Sequence, residues 1–77
     1  MRIIFSNHAR IKISQRKIPK SYVTQVISFP DFIHYNPSGR DVFYKKFTKL
    51  YLKVAAKKLR TGIIVITAHW VAKMPSQ

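Results

Sequence analysis

The chain has 77 residues, 15 Lys and Arg against two acids, a formal net charge of +13, no cysteine and 47% hydrophobic residues. Such a length and apolar content point to a single domain over residues 1–77, not a disordered basic tail, with a core near the lower limit for independent folding. Asp31 and Asp41 alone cannot furnish a Mg²⁺ or Ca²⁺ site, and without cysteine there are no disulfides, thiolate zinc sites or cysteine nucleophiles.

Arg2–Ser6 (RIIFS) reads as a short first strand. It lacks the long apolar region and small-residue cleavage site of a leader, and no stretch approaches the roughly 18–20 apolar residues of a membrane span. A cytoplasmic protein with no membrane partner is therefore expected. Ser6 or Asn7 can cap a helix running from His8 to about Lys17, on which Ala9 and Ile13 share a face. Pro19 suits the first turn of a second helix, where its missing amide hydrogen costs nothing. Val23, Val26 and Ile27 then recur at i, i+3, i+4, and Pro30 ends the run.

Beyond Pro30 the period changes from 3.6 to 2. Asp31–Tyr35 reads as a strand, Asn36-Pro37-Ser38-Gly39 as a tight turn and Asp41–Phe47 as the hairpin partner. Thr48-Lys49 link to a strand beginning at Leu50, in which Leu52, Val54 and Ala56 point one way and Tyr51, Lys53, Ala55 and Lys57 the other. Arg60-Thr61-Gly62 turns the chain into Ile63–Val71, whose β-branched and aromatic residues suit a central strand covered on one face. Strict alternation there sets His69 with Ile63, Val65 and Thr67, opposite Trp70. Lys73–Gln77 reads as a tail.

The expected fold is α+β. A short N-terminal strand precedes two helices, which pack on one face of a three- to four-stranded antiparallel sheet. The other face stays open and carries Lys, His and aromatic side chains. A charge of +13 selects polyanionic partners: nucleic acid first, an acidic protein next, a membrane surface third.

The order of elements resembles the RelE/ParE-like superfamily of small bacterial toxins. The N-terminus is similar to a branch whose members begin Phe-x-x-His-Ala-x-x-Arg-Met-x-x-Arg-x-Ile. Here the matching positions are Phe5, His8, Ala9, Lys12, Ile13, Arg16 and Ile18, with Lys12 for Arg and Ile13 for Met, followed by Pro30 and Asp31; Thr67 also fits. The resemblance implies a type II toxin that cuts messenger RNA without metal or cofactor, often on the ribosome, and is neutralised by a cognate antitoxin. ParE-like members of the superfamily instead inhibit gyrase. The antitoxin expected for so basic a chain is acidic.

Metal-free RNA cleavage needs a base for the 2′-hydroxyl, cations for the phosphorane and an acid for the leaving oxygen. The chain contains no Glu, so histidine, whose ordinary pKa lies near neutrality, suits the proton transfers and Arg the phosphate. The catalytic candidates are His8, Arg16 and His69. Each has a plainer reading: His8 as a tie between helix start and sheet, Arg16 as a partner for a carbonyl, His69 as a solvated strand residue. His34 reads as merely exposed. Lys12, Tyr44, Lys46, Tyr51, Lys53 and Lys57 are the candidates for RNA binding, with Lys45 beside them; lysines would hold phosphates while tyrosines stack on bases. Their plainer reading is a solvated face that protects sheet edges. A non-enzymatic basic module for nucleic acid or an acidic protein, and a ParE-like gyrase inhibitor, are the alternatives to the endoribonuclease.

Overall fold

The computed structural model describes residues 2–73; the rest of the tail expected at the C-terminus lies outside the described residues. Strand β1 covers Arg2–Phe5. Ser6 then takes extended geometry, and its Oγ accepts a hydrogen bond from the Ala9 amide at 3.0 Å, which starts helix α1, Asn7–Gln15. The helix ends in a Schellman motif: the Ile18 amide donates to the Ile13 carbonyl at 2.8 Å and the Lys17 amide to that of Ser14 at 3.2 Å. Lys17 holds the left-handed position at φ 54°. Ile13 and Ile18, the apolar pair typical of this motif, are both buried in the core.

Pro19 fixes the entry to α2, Lys20–Ser28, which stops at Phe29 just before Pro30. Four strands follow, β2 Phe32–His34, β3 Arg40–Phe47, β4 Leu50–Leu59 and β5 Gly62–Val71. The turn before β3 uses Gly39 at φ +90°, a conformation that L side chains rarely adopt.

The meander from β2 to β5 is antiparallel as expected, but the sheet has five strands in the order β1-β5-β4-β3-β2 and is mixed. β1 pairs parallel with β5, Arg2 opposite Gly62 through Phe5 opposite Val65. This corrects the expected three- to four-stranded antiparallel sheet. The chain enters at one edge, the helices carry it across one face to the far edge, and the meander walks back until its last strand meets the first. Gly62 permits that meeting, because a Cβ there would run into the Arg2 carbonyl.

α1 packs on β5 while α2 packs on β4 and β3. Val23, Val26 and Ile27 close over Leu52, Val54 and Ala56 as their periods require. Each fully buried Val or Leu in this layer contributes about 1.5–3 kcal/mol.

One period breaks. Ala55 pairs with Thr67 but Ala56 pairs with Val65, so Ile66 is an extra residue in β5, a β-bulge. Ile63 and Val65 therefore face the helices together with Ala68 and Trp70, whereas Thr67 and His69 face the open side. The strict alternation that set Ile63 and Val65 beside His69 fails because a bulge shifts the parity of every residue after it.

Both carboxylates are engaged locally. Asp31 accepts from the Lys46 amide at 2.8 Å and lies 4.0 Å from the Lys45 ammonium, which donates to the Phe29 carbonyl at 3.0 Å. Asp41 is buried and accepts from the Asn36 amide at 3.3 Å. Lys45 is thus turned to the helix side and stands apart from the open-face lysines. Among the described residues no helix is long and apolar enough to cross a membrane.

Candidate nucleic-acid interface

Strand register arranges the open face in rows. The central row runs Phe32, Tyr44, Lys53, His69 across β2, β3, β4 and β5. Beside it lie Lys46, Tyr51 and Val71 on one side and His34, Val42, Ala55 and Thr67 on the other. Lys57 stands farther along, between Arg40 and Ile64.

Arg16 joins this face from the helix layer. β1 ends opposite Val65, where the Ser6 amide donates to the Val65 carbonyl at 3.2 Å. Past that point the C-terminal end of α1 takes over the edge of β5. There Arg16 Nη1 donates to the Ala68 carbonyl at 2.8 Å and, more weakly, to Thr67 Oγ1 at 3.4 Å. A guanidinium has five donors, so this anchorage leaves several for a ligand.

The electrostatics of His69 reflect the same arrangement. Burial first, then the positive charges of Lys53 and Arg16, hold its pKa below the ordinary 6.5. The imidazole is therefore neutral around pH 7 and able to accept a proton. Among the described residues no carboxylate balances its two cations, since Asp31 and Asp41 are engaged elsewhere. The place between Arg16, Lys53 and His69 favours an anion. Among the described residues no group of three or more His, Cys, Asp or Glu converges on a common point.

The structure thus unites two of the three proposed catalytic residues, Arg16 and His69, and adds Lys53 from the RNA-binding set. His8 is not with them. It is exposed in the first turn of α1, about 12 Å along the axis from Arg16 at 1.5 Å per residue. Spacing along a helix decides this: eight residues separate the two, so they occupy opposite ends. Lys12 lies one turn before Arg16 on the same flank.

Tyr44 also departs from expectation. It is 6% exposed, lies against Phe32 with ring centroids 5.9 Å apart, and burial raises its pKa. It offers almost no face to a base and stays a neutral phenol. Tyr51 is only partly buried on the open face, with the Lys46 ammonium 5.9 Å from its ring centroid.

Thr67 shares the open face with His69, as strict alternation expects; what sequence reasoning missed is the bulge that precedes it. The available signal was a mismatch: strict alternation placed Ile63 and Val65, large β-branched residues, beside a histidine on a solvent face. A bulge resolves the mismatch by turning Ile63 and Val65 to the helix side while Thr67 and His69 stay on the open one.

No family model matches the chain, and searches of curated proteins and of solved structures give no match either.

Proposed function

We propose that this protein is a metal-independent endoribonuclease, the toxin of a type II toxin–antitoxin pair in the RelE/ParE-like manner, working through Arg16, Lys53 and His69. The observation that carries the reading is the imidazole beside two cations, Lys53 on the neighbouring strand and Arg16 at the strand edge, on the sheet face away from the helices, where among the described residues no carboxylate answers them. RNA would lie with a phosphate between Arg16 and Lys53, Lys46 and Lys57 holding flanking phosphates and Tyr51 stacking on a base.

Neutral His69 accepts the proton of the 2′-hydroxyl as O2′ bonds to phosphorus. Arg16 and Lys53 stabilise the added negative charge of the phosphorane. The P–O5′ bond then breaks, and the Lys53 ammonium protonates the departing oxygen. The products are a 2′,3′-cyclic phosphate and a 5′-hydroxyl. An acidic antitoxin segment laid over this face would neutralise the charge and block the site in one step.

Cleavage in excess EDTA, with end-group analysis, tests the reading. Activity should persist, and His69→Ala should lower turnover by roughly 10²–10⁴ with RNA binding retained. Loss of activity in EDTA, or normal cutting by His69→Ala, sinks the mechanism. The engagement of Arg16 with a backbone carbonyl favours one second reading, a non-enzymatic basic module. It prevails if the wild type binds RNA but leaves it intact, alone and on translating ribosomes.

A further inference from the structure

The helix side of the sheet carries a cavity of about 300 Å³ that the open-face chemistry does not use. Tyr22, Phe47, Thr48, Leu50 and Trp70 line it, at the β3–β4 hairpin. Tyr22 and Phe47 stack with centroids 4.6 Å apart, and Trp70 stands perpendicular to both. A stacked pair leaves no gap between its rings for a cation, so this is not an aromatic cage. Exposed Lys46 and Lys49 nearby would repel a cation in any case.

We propose that this cavity is a nucleobase pocket, taking one unstacked base of a single-stranded RNA whose backbone lies along the Lys46–Tyr51 row of the open face. The inference rests on the RNA reading of that face. Three observations carry it.

The first is size. The volume is at the lower end for small-ligand sites, which suits one flat heterocycle. The second is the mixture of walls. Among the described residues the Tyr22 hydroxyl and the Trp70 indole N–H make no hydrogen bond, and neither is a buried atom without a partner. The Thr48 hydroxyl donates to the Phe47 carbonyl at 2.7 Å, which leaves its oxygen able to accept. Two donors and an acceptor among aromatic rings match a base with ring nitrogens and exocyclic groups; an aliphatic anchor from a protein partner would leave them unanswered.

The third is continuity. Phe47 and Leu50 form the last register pair before the turn, and the adjacent pair, Lys46 and Tyr51, is on the opposite face. A strand leaving Tyr51 need pass only the Thr48–Lys49 turn to present a base here, with Lys49 exposed for its phosphate.

Trp70 is the only tryptophan, so its emission reports on this cavity. The experiment pairs Trp70 fluorescence with anisotropy of an end-labelled single-stranded oligoribonucleotide, using an abasic oligonucleotide of equal length and inorganic polyphosphate as comparisons. The base-containing RNA should quench Trp70 with the midpoint seen by anisotropy, and the two comparison polyanions should not. Leu50→Ala, at a side chain already 42% exposed, should weaken the base-containing RNA about 5-fold, the lower end of one lost base contact, and leave the abasic strand unaffected. Anisotropy showing binding while Trp70 responds to no RNA, or equally to polyphosphate, overturns the pocket and leaves the open-face reading intact. If no RNA binds at all, both fall.

Discussion

Replacing Arg16 with Ala removes a structural contact and an electrostatic one, which separate measurements can read. A hydrogen bond from a charged group contributes about 1.5–3 kcal/mol when fully shielded. Arg16 is exposed, its 3.4 Å contact to Thr67 is weak, and water can replace it on the Ala68 carbonyl. The expected cost is therefore about 1 kcal/mol, or a fall in Tm of roughly 4–8 °C for a domain of this size. Losing one positive charge from a chain at +13 offsets part of it.

The electrostatic consequence has the opposite sign for His69. Arg16 is one of three causes that depress its pKa, behind burial and Lys53, so Arg16→Ala should raise it while leaving it below 6.5. A depressed histidine pKa means the unfolded chain binds the proton more tightly. Stability is then full above pH 6.5 and declines as pH falls from there through the depressed folded value. Arg16→Ala should narrow that window. NMR titration of the His69 ring protons, with urea denaturation at several pH values, measures both effects. Arg16→Gln keeps a donor for Ala68 but not the charge, so it should move the pKa as Ala does and cost less stability. A His69 pKa that stays put or drops in Arg16→Ala refutes the placement of the guanidinium beside the imidazole.

Lys17→Gly should stabilise the domain by about 1 kcal/mol, because Lys17 sits at φ 54° where glycine escapes the steric penalty; thermal unfolding reads it. Gly62→Ala should displace β1, since the new Cβ meets the backbone of Arg2; amide exchange should show lost protection in residues 2–5 together with a lower Tm. Binding of single-stranded RNA should weaken with salt at a log–log slope of about −3.5 if Arg16, Lys46, Lys53, Lys57 and one further cation meet phosphates, and a flat titration points to a protein partner instead.

The sequence by itself determined those features whose causes are local. A cap at Ser6 or Asn7 starts α1, and the structure selects Ser6; Pro30 stops α2, and the alternation of Leu52, Val54 and Ala56 with Tyr51 and Lys53 assigns both faces of β4. The charge and the shortage of carboxylates narrow the chemistry before any fold is known. Only the tertiary structure decided the parallel pairing of β1 with β5, because residues about 60 positions apart meet there and no short pattern encodes their register. It also decided the parity of β5. Ile66 resembles its neighbours in an apolar β-branched run, and only pairing against β4 shows that it is the extra residue. That pairing turns Ile63 and Val65 to the helix side while Thr67 and His69 keep the open one; likewise the end of β1 frees the strand edge for Arg16 and Phe32 of β2 covers the ring of Tyr44, because each outcome depends on which side chains other strands bring within a few ångströms.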